Sequence, residues 1–494
     1  MKEDTVKKIF IAGKWKLGGG EPIQSHYPAD NSVNAKISTA NSDDINEAIL
    51  AAEHAWRNPK WRDTLPSEKA AILFKVADLL ETKKEHLAQL QTRDNGKPIS
   101  ETLGLVSSSI ATTRYIASSL ETLDSQLTNQ RVKSLMTFTT YEPLGVIAAI
   151  TPWNSPIASE IQKIVPALAG GNAVILKPAE ATSLIALELA SIFEEAGLPA
   201  GLFSVLTGKG SVVGEEVVKH PLVQKISFTG STSTGRHLAH IAAEKLISTS
   251  LELGGKSPTI VFSDANLDIA VNGVIYGIFS SSGQACIAGS RLFIHESIYE
   301  KFLQSLIEKT KNIVVGDPEK NDTQMGPLIS EAHLDSVNRY VEMARNEGGE
   351  IVVGGHRLEG DQYKKGSYYT PTIITGLTNQ SQVCQEEIFG PVLVVMPFSD
   401  ETELLAQTNN SIYGLAAGIW TEDYRKAIDI SKRLEAGTIW INTYKKFSIA
   451  TPFSGHKESG VGKEKGRLSI LDYMQTKSIF LNLDQTPNPW CEPK

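Results

Sequence analysis

A cysteine in a glycine-rich stretch is the first residue whose surroundings suggest chemistry. Cys286 lies in SSGQACIAGSR, residues 281–291, between Gly283 and Gly289. Glycine lets a backbone approach a ligand closely, whereas a structural cysteine usually sits among apolar residues where its thiol is inert. On these eleven residues alone, a small residue packed in a tight turn is favoured. A nucleophilic cysteine would need a base from elsewhere in the chain.

Two polar residues at predicted strand ends could assist such a nucleophile. Glu252, in LELGGKSP, ends an apolar strand, where a carboxyl group is a candidate for a raised pKa and general-base work. Asn154, in ITPWNSP, follows another strand and precedes Pro156, a residue suited to the first turn of a helix. Its side-chain amide would be free to donate a hydrogen bond. A solvated loop acid and a helix cap are the alternatives.

Two further motifs are typical of ligand binding at strand ends. In FTGSTSTG a strand runs into a helix, so amides near Gly230 and Ser231 would face an anion at the helix N-terminus. An ordinary Ser/Thr N-cap explains the motif equally well. In LKPAEATS, Lys177 and Glu180 could hydrogen-bond the two hydroxyls of a ribose, or could simply be surface charges.

The strand ends that carry these candidate residues belong to a regular alternation of predicted strands and helices. Short β-branched runs alternate with amphipathic segments, which predicts five strands near residues 146, 173, 203, 225 and 249. Such a series predicts a doubly wound parallel sheet, which binds ligands at the carboxyl ends of its strands. A second α/β series begins at SPTIVFSD, residues 257–264, and the region before residue 125 is predicted to be mostly helical.

Size and composition restrict the class of protein. The 494 residues exceed what one hydrophobic core supports, so we expect two or three domains. The net charge of −8 gives no electrostatic reason to bind nucleic acid or an anionic membrane. Three widely spaced cysteines favour neither disulfides nor a metal site, and the apolar runs are too short to span a bilayer. Without a signal-peptide pattern at the start, we expect a soluble cytoplasmic protein.

In order and spacing, the motifs together resemble the NAD(P)-dependent aldehyde dehydrogenase superfamily, over essentially the whole chain. Glu252 precedes Cys286 by 34 residues, with PWN and KPAE upstream and FTGS between KPAE and Glu252. The resemblance continues downstream through MGPLIS, EEIFGPVL, YGLAAGIW and PFSGHKESGVGKEKG. An asparagine common in the family is Ser282 here, and the usual GGYKxSG reads SGHKESG, which puts only loop details in doubt.

The resemblance implies a role for each matching residue. Cys286 matches the nucleophile, Glu252 the base that activates water, and Asn154 the oxyanion donor. A proposed proton relay to the base matches Lys163 and Glu464. The cofactor is expected to be NAD in preference to NADP, with no metal, held at Trp153, Lys177, Glu180, Gly230, Ser231, Glu387 and Phe389.

The fold implied is α/β, with a Rossmann-like doubly wound cofactor domain, a second α/β catalytic domain and a small β oligomerisation element. The predicted strands 131–143 and 477–483 lie outside both α/β series and need partners, either each other or another subunit. The resemblance implies a homodimer or homotetramer. The expected divisions are 1–124 with 144–253 for the cofactor, 254–458 for catalysis, and 125–143 with 459–494 for oligomerisation.

The substrate is expected to be a small aldehyde, oxidised to a carboxylic acid. Ser155, Ser159 and Gln162 share one helix face, which the resemblance places along the aldehyde tunnel, with Phe453 and Phe447 as its apolar wall. This predicts a preference for polar or bulky aldehydes, unless the serines only face neighbouring helices. A semialdehyde ranks second, because no arginine lies on this face. The same fold could also serve a coenzyme-A-acylating enzyme or a non-catalytic binding or structural protein.

Overall fold

The computed structural model describes residues 6–491, and two large sheets organise it. The five predicted strands form the parallel centre of the first sheet, in the order third, second, first, fourth, fifth. Antiparallel strands extend both edges. The full order is Lys14–Lys16, Ile9–Ile11, Phe203–Val205, Ala173–Lys177, Val146–Ile150, Val223–Thr229, Ser248–Glu252 and Gly460–Val461.

The central strands are buried because helices cover both faces of the sheet. The sequences VIAAI and AVILK are buried along nearly their whole length, as expected for parallel strands without a solvent face. The helix Pro156–Ala169 is buried at every position except Ser159 and Gln162. The first and fourth strands of the series are neighbours, so the chain reverses direction across the sheet between them. The predicted Rossmann-like arrangement is confirmed.

The second sheet carries the other α/β series and is parallel except for one edge strand. Its order is Glu350–Val353, Thr372–Thr375, Val392–Phe398, Arg291–His295, Pro258–Val261, Ala416–Trp420 and Thr438–Ile441. The strand Gly460–Val461 returns the chain to the first sheet beside Glu252. The domain boundaries drawn from the sequence remain predictions.

The two strands left without partners by the sequence pair with each other. Met474–Asn482 runs antiparallel to Leu135–Pro143 along nine residues, and Gln126–Leu127 adds a third strand. Two smaller sheets pair Gly20–His26 with Val33–Thr39 and Tyr413–Gly414 with His456–Lys457.

The α-helices alternate with the strands after residue 144, as predicted. The region before residue 125 is mostly helical, as predicted, through five helices within residues 42–120; residues 9–39 add four strands that the sequence did not indicate. No helix among residues 6–491 is long and apolar enough to cross a membrane. The α-helices are Ser42–Arg57, Pro59–Arg62, Pro66–Thr82, Lys84–Asn95, Ile99–Leu120, Pro156–Ala169, Ser183–Glu195, Glu215–Lys219, Thr232–Lys245, Leu267–Phe279, Tyr299–Lys311, Glu331–Asn346, Gln382–Gln385, Glu401–Asn409, Tyr424–Arg433 and Leu468–Leu471.

Candidate active site

A cavity of about 240 Å³ lies where the first sheet meets the loops of the second. It opens at the carboxyl ends of the adjacent strands Val146–Ile150 and Val223–Thr229, the position where doubly wound sheets bind ligands. Eight of the residues singled out from the sequence line it together: Trp153, Asn154, Gly230, Ser231, Glu252, Cys286, Glu387 and Phe389.

Cys286 lies in the loop that joins the helix Leu267–Phe279 to the strand Arg291–His295, and its side chain is partly exposed. Gly283 has a φ of 69°, and a Cβ there would overlap the carbonyl of Gly390. This glycine therefore allows two backbones to touch, rather than leaving open space beside the thiol as its sequence surroundings suggested.

The electrostatic surroundings of Cys286 favour the neutral thiol. Burial, followed by the carboxylates of Glu387 and Glu252, raises the pKa of the thiol to about 12. Backbone amides of Ile287 and Cys286 partly oppose this increase. The thiol proton must therefore leave as the sulfur attacks, or the surroundings must change on binding.

Asn154 reaches the loop of Cys286 through its side chain. Its Nδ2 donates to the carbonyl of Gln284, with 3.0 Å between the two atoms. An amide nitrogen carries two donors, so one N–H anchors the side chain and the second is available to a ligand. The backbone carbonyl of Asn154 accepts from Nδ2 of Asn95 at 3.3 Å, which fixes the loop from the other side.

Glu252 is the last residue of the strand Ser248–Glu252, where it pairs with Gly460. Both carboxylate oxygens are buried and make no hydrogen bond to the described residues. Burial, reinforced by the nearby carboxylate of Glu464, raises the pKa of Glu252 well above its usual value. An unpartnered carboxyl group whose pKa is raised is a stronger base than an exposed carboxylate, which suits it to accept a proton.

A buried ion pair lies behind Glu252. Lys163, on the helix Pro156–Ala169, pairs with Glu464, and both side chains are almost completely buried. Lys163 also contacts the hydroxyl of Ser227 at 3.4 Å, and Ser227 contacts the hydroxyl of Tyr473 at 2.8 Å. Lys163 and Glu464 therefore support the cavity from outside and do not line it.

Glu387 and Phe389 approach the cavity from the second sheet. Oε1 of Glu387 accepts from the backbone N–H of Gly255 at 2.9 Å, and burial raises the pKa of this carboxyl to about 7. Phe389 has a φ of 57°, and its ring packs edge-on to Trp153 with 5.3 Å between centroids. The sequence did not predict His333, whose ring packs against both aromatic rings.

The candidate nucleotide side lies along the same sheet edge. Lys177 ends its strand and is buried, which lowers the pKa of its ammonium to about 8. Glu180 is exposed, and its Oε1 accepts from the backbone N–H of Gly210 at 3.0 Å. Ser231 caps the helix Thr232–Lys245, as one interpretation of its motif predicted, and it also lines the cavity; anion binding there stays a prediction.

Comparison with known proteins identifies the family of the chain. The aldehyde dehydrogenase family profile matches residues 15–479. The chain belongs to the aldehyde dehydrogenase family. It is therefore an oxidoreductase, and both its α/β architecture and the resemblance inferred from its motifs are confirmed.

Solved structures of bacterial aldehyde dehydrogenases resemble this one along their whole length. A mutant of the Bacillus cereus aldehyde dehydrogenase is 38% identical, with a TM-score of 0.95 and 98% of each chain covered. The Staphylococcus aureus betaine aldehyde dehydrogenase in complex with NAD+ is 34% identical, with a TM-score of 0.97, and the match covers 99% of this chain and 97% of that one. The Bacillus cereus enzyme has also been solved as an NAD+ complex, again at 38% identity and a TM-score of 0.95 over 98% of each chain.

The predicted substrate face of this aldehyde dehydrogenase is accessible. Ser155, Ser159 and Gln162 are partly exposed, although the helix that carries two of them is otherwise buried. Phe453 and Cys286 pack against the same apolar cluster. The ring of Phe447 contacts that of Phe453, with 5.7 Å between centroids.

Two lysines near Cys286 were missed from the sequence. Lys445 and Lys465 belong to the segment that also carries Phe447 and Phe453, and Cys286 is among the groups that influence the pKa of each ammonium. The predicted substrate face lies on the helix Pro156–Ala169, and both lysines lie on a different segment of the chain. Their approach to Cys286 depends on contacts between distant parts of the chain.

Proposed function

We propose that this enzyme oxidises an aldehyde to a carboxylic acid with NAD, through a thiohemiacetal and then a thioester on Cys286. One observation carries the proposal: Cys286 and the unpartnered carboxyl of Glu252 line the same cavity. A nucleophile and a separate base suit a reaction split into acylation and hydrolysis.

Once the Cys286 thiol has lost its proton to water, attack of the thiolate on the aldehyde carbon forms a C–S bond, breaks the carbonyl π bond and leaves the negative charge on oxygen. The second N–H of Asn154 and the backbone N–H of Cys286 would stabilise this oxyanion. One such donor contributes roughly 3 kcal/mol in comparable acyl chemistry. The hydrogen bond from Asn154 to Gln284 holds the amide beside the nucleophile loop, which we define as the segment that carries Cys286 between the helix Leu267–Phe279 and the strand Arg291–His295.

NAD, when bound, supplies the hydride acceptor. Glu252 then removes a proton from the water that attacks the thioester, which releases the acid and restores the thiol. Lys163 and Glu464 would return that proton towards solvent. Their ion pair lies behind Glu252, and the negative charge of Glu464 raises the pKa of Glu252.

The residues along the sheet edge fit a dinucleotide. Trp153, Ser231 and Phe389 would surround the pyrophosphate and nicotinamide ends, and the Glu387 carboxylate would contact the nearby ribose. Lys177 and Glu180 would hold the adenosine ribose. We propose NAD in preference to NADP because the Glu180 carboxylate would repel a 2′-phosphate. The related enzymes of known structure were solved with NAD+.

The competing activities are disfavoured by the residues present. A coenzyme-A-acylating enzyme would transfer the acyl group to a thiol and would not need a base such as Glu252. A non-catalytic protein of this fold would not need Cys286, Glu252 and Asn154 in one cavity.

We propose that the substrate bears a polar or bulky group. The partly exposed Ser155, Ser159 and Gln162 would leave a wide, hydrogen-bonding tunnel, with Phe453 supplying the apolar wall.

We further propose a homo-oligomer in the cytoplasm. The small three-stranded sheet exposes large apolar side chains, among them Phe480 and Leu127, which are 68% and 71% exposed. A second subunit covering this sheet would remove them from water. The three free cysteines suit a reducing compartment.

The test is a broad aldehyde panel assayed with NAD at 340 nm, on the wild type and on Cys286→Ala. The wild type should reduce NAD with some aldehydes. The Cys286→Ala variant should show no turnover while its protein fluorescence still reports cofactor binding. Appreciable turnover by the variant would refute covalent catalysis, and a wild type inactive with every aldehyde would favour a non-catalytic role.

A further inference from the structure

Two lysine side chains contact neighbours of Cys286, either before it in the chain or in its apolar cluster, and neither has a part in the proposed mechanism. The Lys445 ammonium donates to the hydroxyl of Ser280 at 2.7 Å, just before the nucleophile loop. The Lys465 ammonium lies 3.7 Å from the ring centroid of Phe447 and 5.4 Å from that of Phe453.

The carboxylates that act on the two ammonium groups do so from beyond salt-bridge distance: Glu101 acts on Lys445, and Glu464 and Glu252 act on Lys465. No acidic side chain of residues 6–491 forms a salt bridge with Lys445 or Lys465, and the neighbouring Glu464 is already paired with Lys163. Both lysines are partly buried, and burial lowers the pKa of each to about 8. Below that pH, both lysines are positively charged, and neither is held in a salt bridge by a described residue.

We propose that the aldehyde oxidised by this enzyme carries an anionic substituent, a carboxylate, and that Lys445 and Lys465 bind it. This rests on the proposed function, in which the carbonyl end of the same molecule meets Cys286. A carboxylate offers two acceptor oxygens, and ammonium groups from two separate positions can each donate to one of them. The partly exposed Ser159 and Gln162 add polar wall to the same tunnel.

The aromatic contacts argue against a cationic substrate. A quaternary ammonium group is recognised by the faces of aromatic rings. Here the ammonium of Lys465 already lies over Phe447, and a second cation on that face would be repelled. A neutral aldehyde would meet no such repulsion, but would leave both lysines without an acceptor.

The test compares ω-oxo carboxylic acids with their methyl esters, over chain lengths of roughly four to eight carbons. Each pair shares the aldehyde and differs in charge. The wild type at pH 7 should show a higher kcat/KM for the acid at the length that spans from Cys286 to the lysines. Lys445→Met and Lys465→Met should each lower that preference by roughly tenfold or more, as expected for a lost hydrogen bond to a charged group.

Matched controls are provided by the exposed neighbours of the two lysines. Lys446→Met and Lys463→Met remove a charge from the same segment and should leave the preference unchanged. Arginine at position 445 or 465 should restore part of the preference, because it keeps the charge. The inference is wrong if no acid is preferred over its ester, or if the methionine variants slow acid and ester equally.

Dependence on pH gives a second readout. The lysines lose their charge above pH 8, so the acid-to-ester ratio of kcat/KM should fall there. Both substrates use the same nucleophile and base, so the ratio cancels their titration. The charged or titratable groups that face the two lysines are Glu101, Lys97, Cys286, Glu464 and Glu252. A ratio that stays constant from pH 7 to 10 would contradict the proposal.

Binding separates this inference from the proposed function. The dicarboxylate product of the preferred length should bind to Cys286→Ala in calorimetry, and less tightly once Lys445→Met is added. Loss of that difference overturns the inference even when esters are oxidised normally. Conversely, lysine-dependent binding by an enzyme that oxidises no aldehyde would support the anion site and refute the proposed reaction.

Discussion

Replacement of Glu252 by glutamine should separate the two halves of the proposed reaction. Both carboxylate oxygens of Glu252 lack hydrogen-bond partners among the described residues, so the isosteric amide breaks no contact that the structure contains. Because no contact is broken, the fold and the cofactor cavity should be preserved. What the change removes is the charge and the basicity of the group.

The loss should fall on hydrolysis of the thioester. A positioned general base typically accelerates proton transfer by about 10²–10⁴-fold, which corresponds to roughly 3–5 kcal/mol. Acylation should persist, because the negative charge of Glu252 is one of the causes that raise the pKa of Cys286. Without that charge the thiol should ionise at lower pH, and its alkylation by iodoacetamide should begin at lower pH.

Rapid mixing with NAD and a good aldehyde measures both effects. Glu252→Gln should give a burst of absorbance at 340 nm close to one equivalent per active site, followed by a steady state about 10²–10⁴-fold slower than wild type. Glu300→Gln, at an exposed position on the helix Tyr299–Lys311 that does not line the cavity, offers a matched carboxyl-to-amide control. Wild-type turnover by Glu252→Gln, or slow turnover without a burst, would refute the assigned role.

The remaining predictions concern the cofactor, the assembly and the substrate. Glu180→Gln should raise kcat/KM for NADP relative to NAD, because it removes repulsion of the 2′-phosphate; a wild type that already prefers NADP would contradict the assignment. Sedimentation at micromolar concentration should detect no monomer, and deletion from residue 475 onward should weaken assembly by removing the strand paired with Leu135–Pro143; unchanged assembly would count against this. Ser159→Phe should depress turnover of bulky aldehydes far more than that of acetaldehyde, and equal effects would leave the substrate face without support.

Strand positions were predictable where the sequence pattern is strong. The five strands of the first sheet are apolar runs separated by amphipathic helices, and the order of motifs along them indicated the family. Residues 9–39 were not predicted, because strands such as Ile9–Ile11 and Lys14–Lys16 are three residues long and too short to show an alternating pattern.

Side-chain environments were harder to predict than side-chain identities. Cys286, Glu252 and Asn154 were found from their motifs and share a cavity. Lys445 and Lys465 were not predicted as site residues. The hydrogen bond from Lys445 to Ser280 joins residues that are 165 positions apart in the chain. No local pattern encodes that contact, which depends on how the second sheet folds around the nucleophile loop.

The contact between Gly283 and Gly390 has a mechanical consequence. Gly283 precedes Cys286 by three residues, and Gly390 follows Phe389 directly. The two backbones touch without an intervening side chain. This contact fixes the distance between the loop that carries Cys286 and the loop that carries Phe389. A side chain at Gly283 would overlap the carbonyl of Gly390 and change the spacing between the sulfur of Cys286 and the ring of Phe389. Enzyme engineers who wish to enlarge this active site should therefore alter the tunnel and leave this junction untouched.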